Sequence, residues 1–181
     1  MRDPGAKSGS PRIDIRPAVA ADNHLLSELG RRTFSDSFAA ENTPENMRTY
    51  LEASFSPQIQ AAELADPDSL FLIAEVEGET AGYARLHTGT APSFLNARQP
   101  IELARIYADR PWIGRSVGPA LMAACLQEAA RRGCDLVWLG VWQHNPRAIA
   151  FYRKWGFEIA GTQRFQLGDD LQTDWVMRRE V

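Results

Sequence analysis

Two polar side chains, Asn145 and Tyr152, lie on one stripe of a segment that Pro146 and Gly156 delimit as a helix. A tyrosine phenol is protonated at neutral pH and can give a proton to a leaving group within reach. An asparagine at a helix start can cap the helix or contact a ligand. Taken alone, Tyr152 also fits a core tyrosine whose hydroxyl is satisfied at an edge, so this segment leaves both interpretations open.

A turn that contains Gly114 and Gly118 connects a predicted strand at 101–108 to a long predicted helix at about 118–132. The start of a helix exposes backbone N–H groups and the positive end of the helix dipole, so such a turn can hold phosphate oxygens. The two glycines would let a ligand approach the main chain closely. A turn of this kind is also often a plain connection, and it becomes informative only together with the other segments.

These residues belong to an alternating series of predicted strands and helices. Helices are expected after the caps Asp22 and Thr43 and at 57–65, 118–132 and 145–155. Hydrophobic alternation and turn residues predict strands at 12–17, 69–77, 80–87, 101–108, 135–142, 157–166 and 173–179. The order of the elements predicts an α/β fold with a mixed sheet.

The chain has 181 residues and a net charge of -3, and it contains no apolar run typical of a secretory signal or a bilayer span. We expect one domain over 12–181 and a disordered tail over 1–11, which is rich in Gly, Pro and Ser. These features predict a cytoplasmic protein that does not act at a membrane. The charge and the lack of a basic stripe argue against nucleic acid as a partner.

Cys125, Cys134 and the three histidines lack the spacing of metal ligands, so no metal site is expected. A disulfide framework is not needed for a chain of this length.

Two long segments resemble the GNAT N-acetyltransferase superfamily, and the likeness covers nearly the whole chain from residue 12. They are ELARIYADRPWIGRSVGPALM and LVWLGVWQHNPRAIAFYRKWGF, of which the second contains the pattern Asn-x-x-Ala-x-x-Phe-Tyr-x-x-x-Gly-Phe. The segments TFSDSFAAENTPENMRTYLEASF and FQLGDDLQTDWVM are similar to bacterial spermine/spermidine N-acetyltransferases of the Pai type.

The resemblance implies a central mixed, mostly antiparallel sheet of about seven strands, splayed between the fourth and fifth strands and flanked by about four helices. Acetyl-coenzyme A would lie in the splay, with its pantetheine arm on the main chain of Ile106 and Ala108. The residues expected to complete the cofactor site are Ile113, Gly114, Arg115, Ser116, Val117, Gly118, Pro119, Asn145, Ala148 and Tyr152.

The phosphate turn departs from the family pattern at Ser116, where glycine is usual, and at Pro119. A serine resists the positive φ that glycine accepts, and a proline has no N–H to donate. Arg115 is the residue that would compensate through a charge-assisted contact with phosphate. The sequence therefore predicts weaker or altered cofactor binding.

The resemblance assigns Tyr152 as the acid that protonates the departing thiolate. Glu102 stands where some family members place a catalytic base, although a solvated residue at the start of a strand fits equally well. Backbone N–H groups near Ile106 would stabilise the oxyanion. Because Gly140 replaces another common family carboxylate and neither cysteine matches an active position, we expect direct attack by the amine in a ternary complex.

The expected acceptor is a primary amine of a small molecule, and the Pai-type likeness favours a polyamine such as spermidine or spermine. Acidic and aromatic residues of the expected acceptor wall would suit its ammonium groups, although scattered surface acids look the same in sequence: Asp36, Glu41, Glu45, Asp169, Asp170, Phe34 and Phe38. An amino acid, an antibiotic or a protein amine stays open as the acceptor. The rival function is a catalytically weak acyl-coenzyme A sensor, and a homodimer is possible.

Overall fold

Seven strands form one mixed sheet in residues 12–181, the part of the chain that the computed structural model describes. Their order across the sheet is β1-β2-β3-β4-β5-β7-β6. The strands are β1 (Ile13–Pro17), β2 (Ser69–Val76), β3 (Glu79–His87), β4 (Pro100–Ala108), β5 (Leu136–Trp142), β6 (Glu158–Leu167) and β7 (Asp170–Glu180). All neighbouring strands are antiparallel except β4 and β5, which confirms the predicted mixed, mostly antiparallel α/β sheet.

Five α-helices flank this sheet in the described residues, and three of them precede β2 in the chain. They are α1 (Asn23–Phe38), α2 (Pro44–Phe55), α3 (Pro57–Ala65), α4 (Val117–Arg131) and α5 (Pro146–Lys154). The hydroxyls of Thr43 and Ser56 cap α2 and α3, and each cap is followed by a proline, which suits a first helical turn. No helix within residues 12–181 is long and apolar enough to cross a bilayer. The tail predicted as disordered, 1–11, lies outside the described residues.

Helices cover both faces of the sheet. On one face, Leu121, Met122 and Cys125 of α4 are fully buried against the apolar residues of β2 to β5. On the other face, Leu26 and Leu29 of α1 pack against Phe71, Ile73 and Tyr83. The helices therefore hold β3 and β4 from both sides and fix the strand that borders the central gap.

The gap opens because β4 and β5 pair only over their first residues. The parallel pairing runs from Pro100–Leu136 to Glu102–Trp138, and β5 then continues along β7 on its other side. A β-bulge in β4 follows the last paired residue, since the register with β3 shifts between Arg85–Arg105 and Leu86–Leu103. The two strands diverge from this point and leave a cleft through the middle of the sheet.

Candidate active site

The cleft between β4 and β5 encloses about 670 Å³ and is bordered by β4, β5, β6, β7, α1, α5 and the start of α4. Most of the residues that the sequence assigned to a cofactor site lie in its wall. They are Ile106, Ala108, Ile113, Gly114, Ser116, Gly118, Pro119, Asn145, Ala148 and Tyr152. Segments far apart in the chain are thus brought together by the fold.

The main chain of β4 offers hydrogen-bonding groups to the cleft. The N–H of Asp109 donates to the carbonyl of Ala81 in β3 at 2.8 Å. The N–H and C=O groups of the odd-numbered residues after the bulge are therefore directed toward β3. Alternation along an antiparallel strand turns the N–H and C=O of Ile106 and Ala108 the other way. These groups of Ile106 and Ala108 point into the gap between β4 and β5.

The turn into α4 presents further donors. Gly114 and Ser116 have positive φ angles of 80° and 66°, and α4 begins at the next residue, Val117. The first N–H groups of a helix have no partner inside the helix, so Val117 and Gly118 present theirs at the turn, whereas Pro119 has none. The Val117 side chain is fully buried in the core, which leaves only its main chain for a ligand.

An ion pair fixes the end of β4 beside this turn. Arg32 of α1 donates from Nε and Nη2 to the two carboxylate oxygens of Asp109, at 3.1 and 2.8 Å. The hydrogen bond from Arg32 lowers the pKa of the Asp109 carboxyl, and the N–H of Arg110 adds to this effect. Asp109 is therefore ionised at neutral pH and ties α1 to the strand that leads into the turn.

Arg115 lies outside the cleft wall, in contrast to the neighbouring turn residues. Its guanidinium is 5.5 Å from the centre of the Trp112 ring, and its N–H already donates to the Trp112 carbonyl at 3.2 Å. Arg105 of β4 lies in the wall but is paired with Glu63, and the exposed arginines of the wall are Arg110, ahead of the turn, and Arg147, at the start of α5. Sequence reasoning missed both, since an exposed arginine carries no local signal for a phosphate.

Asn145 and Tyr152 come together on the cleft side of α5. Asn145 caps the helix by accepting the N–H of Ala148 at its Oδ1, over 3.0 Å, which leaves Nδ2 as its donor for a ligand. The Tyr152 ring packs edge-on against Phe151 and Phe157, at 5.6 and 5.9 Å between centres. Burial raises the pKa of the Tyr152 phenol, and nearby Cys125 adds to the rise, so the phenol holds its proton at neutral pH.

Glu102 lies outside the wall of the cleft. The β-bulge reverses the alternation of β4, so Glu102 sits on the opposite face from Ile106 and Ala108. Burial raises the pKa of its carboxyl, an effect opposed by His87, Arg85 and Arg105. Glu102 therefore shares the face of α1 and of the cavity residues Arg105 and Tyr107 without lining the cavity itself, and its role as the base stays a prediction.

Asp174 of β7 is a carboxylate in the wall that sequence reasoning missed. The residue is 7% exposed, and its Oδ1 has no hydrogen-bond partner among residues 12–181. Burial raises the pKa of the Asp174 carboxyl to about 6. The only signal in the sequence was Gly140, since a Cβ there would stand 3.3 Å from Oδ2 of Asp174 and against the amide of Gln163.

The part of the cleft near α1 and β7 is aromatic. Phe34 lies 4.6 Å from Phe38 and 4.5 Å from Tyr50, and Phe38 faces Trp142 at 6.4 Å between ring centres. Phe34, Phe38 and the exposed Asp36, which the sequence analysis assigned to an acceptor wall, line the cavity. The other predicted acids lie outside the wall: Glu41, Glu45, Asp169 and Asp170. No group of three or more potential metal ligands was found in the described part of the chain.

Comparison with known proteins gives consistent matches. The model of the acetyltransferase (GNAT) family matches residues 31–157. An uncharacterized N-acetyltransferase of Lactobacillus delbrueckii subsp. lactis is 33% identical over 153 residues, which cover 84% of this chain and 88% of that protein. A probable spermine N(1)-acetyltransferase of Bacillus subtilis subsp. natto is 27% identical over 92 residues, or 49% of this chain and 59% of that protein.

The same fold occurs in a solved structure with a bound ligand. The PaiA N-acetyltransferase of Thermoplasma acidophilum, crystallised in complex with coenzyme A, superposes with a TM-score of 0.75. It is 20% identical in sequence, and the match covers 94% of this chain and 99% of that one.

Proposed function

Because the chain belongs to the acetyltransferase (GNAT) family, we propose that it moves the acetyl group of acetyl-coenzyme A to a primary amine of a small molecule. The observation that carries the proposal is the cleft at the β4–β5 splay, whose wall contains Tyr152 together with the unpaired edge of β4. Acetyl-coenzyme A supplies an activated acetyl thioester. The residues described below bind and orient the reactants and move protons.

The groups along the cleft match the chemistry of acetyl-coenzyme A. At one place the cleft borders the strand edge of β4, where the main-chain groups of Ile106 and Ala108 are free. At another it borders the start of α4, where the N–H groups of Val117 and Gly118 are free. Arg147 in the same wall adds a cation for a phosphate. We infer that the β4 edge holds the pantetheine arm and that the turn and Arg147 hold the phosphates.

Tyr152 would act as the acid. Its phenol keeps its proton at neutral pH because burial disfavours the phenolate, and it lies in the cleft wall on α5. A positioned phenol can donate this proton to the sulfur as the carbon–sulfur bond breaks. Cys125 is fully buried in the core, which supports direct attack by the amine over a route through a cysteine.

The acceptor end supports an amine, and we propose a polyamine such as spermidine or spermine as the first candidate. Aromatic faces at Phe34, Phe38 and Trp142 and carboxylates at Asp36 and Asp174 suit a flexible cation. The partial match to a probable spermine acetyltransferase points the same way. Amino acids, antibiotics and protein amines are the competing acceptors.

The test is release of free thiol from acetyl-coenzyme A in the presence of spermidine, spermine, amino acids, an aminoglycoside and an N-terminal peptide. We expect amine-dependent release with at least one of them and a matching acetylated product in the mass spectrum. Tight binding of acetyl-coenzyme A without release on any amine would instead favour the acyl-coenzyme A sensor. That rival is suggested by Ser116 and Pro119, which alter the phosphate turn.

A further inference from the structure

The β7 carboxylate, Asp174, has no structural role that its surroundings explain. It is almost completely buried, and its Oδ1 accepts no hydrogen bond within the described residues. A buried carboxylate without a partner is costly, and such groups are usually paired or functional. Its side chain lies in the wall of the cleft, so the missing partner is expected to come from a ligand.

The strands β5, β6 and β7 together position this carboxylate. Asp174 pairs with Trp142 of β5 on one side and with Gln163 of β6 on the other. Gly140 of β5 lacks a side chain, and the space that a Cβ would take is filled by Gln163 and approached to 3.3 Å by Oδ2 of Asp174. Because Gly140 has no side chain, the Asp174 carboxylate can lie against the main chain of β5, next to the gap between β4 and β5.

We propose that Asp174 is the catalytic base of the acetyl transfer, binding the acceptor ammonium and taking one of its protons. This inference rests on the proposed function. The free amine then attacks the thioester carbon, so that a C–N bond forms as the C–S bond breaks. Tyr152 gives a proton to the sulfur and is reprotonated by the second proton that the nitrogen loses. Asp174 passes its proton to solvent, so the net products are the amide, the free thiol and one proton.

The surroundings of Asp174 allow its ionisation to be read from a pH profile. Burial alone raises the pKa of its carboxyl to about 6, so the base would be competent above that pH. Burial raises the pKa of the Tyr50 phenol of α2, and the nearby charge of Asp174 adds to the rise. The other charged or titratable side chains that share the cavity are Asp36, Arg105, Tyr107, Arg110, Arg147 and Tyr152.

The experiment compares wild type, Asp174→Asn and the control Glu180→Gln, which removes an exposed carboxylate from the same strand. The amine is the best acceptor of wild type in the thiol-release panel. Wild-type kcat/KM should fall below about pH 6, whereas Asp174→Asn should lose about 100-fold at pH 7. The loss should shrink as the pH approaches the pKa of the amine, because the acceptor then needs no base. Glu180→Gln should match wild type.

The dissociation constant of acetyl-coenzyme A, measured by calorimetry, shows whether the variant still folds and binds its first substrate. An unchanged constant together with the lost activity supports a role at the amine. If Asp174→Asn keeps the kcat/KM and the pH profile of wild type, Asp174 is not the base. If wild type itself acts on no amine in the panel, the proposed function fails first, which separates the two outcomes.

Discussion

Replacing Asp174 with asparagine should remove a loss of stability that wild type undergoes as the pH rises, even though it lowers turnover. The folded-state pKa of about 6 lies above the ordinary value of 3.8, so the native protein holds this proton more tightly than the unfolded chain. The contribution of the protonated carboxyl to stability is therefore fully present below the unfolded-state pKa and is lost as the pH rises through about 6. Such a pKa difference corresponds to roughly 3 kcal/mol at pH 8.

The amide of the variant carries a cost of its own, about 1–3 kcal/mol if it finds no partner, but that cost does not depend on pH. The ionisation of Asp174 is therefore seen in how the stability difference between the variant and wild type changes with pH. We expect the stability of Asp174→Asn relative to wild type to increase by roughly 1.4 kcal/mol between pH 5 and pH 8.

Urea denaturation followed by circular dichroism at the two pH values gives both free energies of unfolding. Glu180→Gln, at an exposed position of the same strand, serves as the control and should show no such increase. A difference between Asp174→Asn and wild type that is the same at pH 5 and pH 8 would refute the reasoning, because the carboxylate would then have an ordinary pKa.

Three further predictions concern the turn, the ion pairs below the cleft and the cofactor phosphates. Ser116→Gly should raise the free energy of unfolding by about 0.5 kcal/mol, because φ of 66° strains a serine; a decrease in urea denaturation would contradict this. Glu63→Ala should lower the free energy of unfolding by about 3 kcal/mol, because the largely buried Arg85 and Arg105 would each lose an ion pair that is now shorter than 3 Å. A loss under about 1 kcal/mol in urea denaturation would be inconsistent with this. Arg147→Ala should weaken acetyl-coenzyme A binding about tenfold at low salt and less at high salt, as calorimetry can show; an unchanged affinity would remove Arg147 from the phosphate site.

Much of the fold could be predicted from local signals. Strand alternation placed β2 and β3 around the turn at Gly78, and Gly133 and Gly156, both with positive φ, end α4 and α5 as expected. Caps followed by proline marked α2 and α3. These elements are specified by residues close in sequence, so no knowledge of tertiary contacts was needed.

The site was less predictable where it depends on distant pairing. The resemblance placed Glu102 as a candidate base, and the β-bulge that sets which face carries its side chain is invisible in the sequence. No local pattern marks Asp174, because its burial depends on β7 lying between β5 and β6 and on Gly140 far away in the chain. Long-range register decides which face of a strand carries function.

The most direct test of the account is the turnover of Tyr152→Phe at saturating acetyl-coenzyme A and amine. Removing the hydroxyl deletes the proton donor and keeps the ring that packs against Phe151 and Phe157. We predict that kcat falls by about 100-fold while the dissociation constant of acetyl-coenzyme A stays within twofold of wild type. Wild-type kcat in this variant would contradict the assignment of Tyr152 as the acid in the cleft.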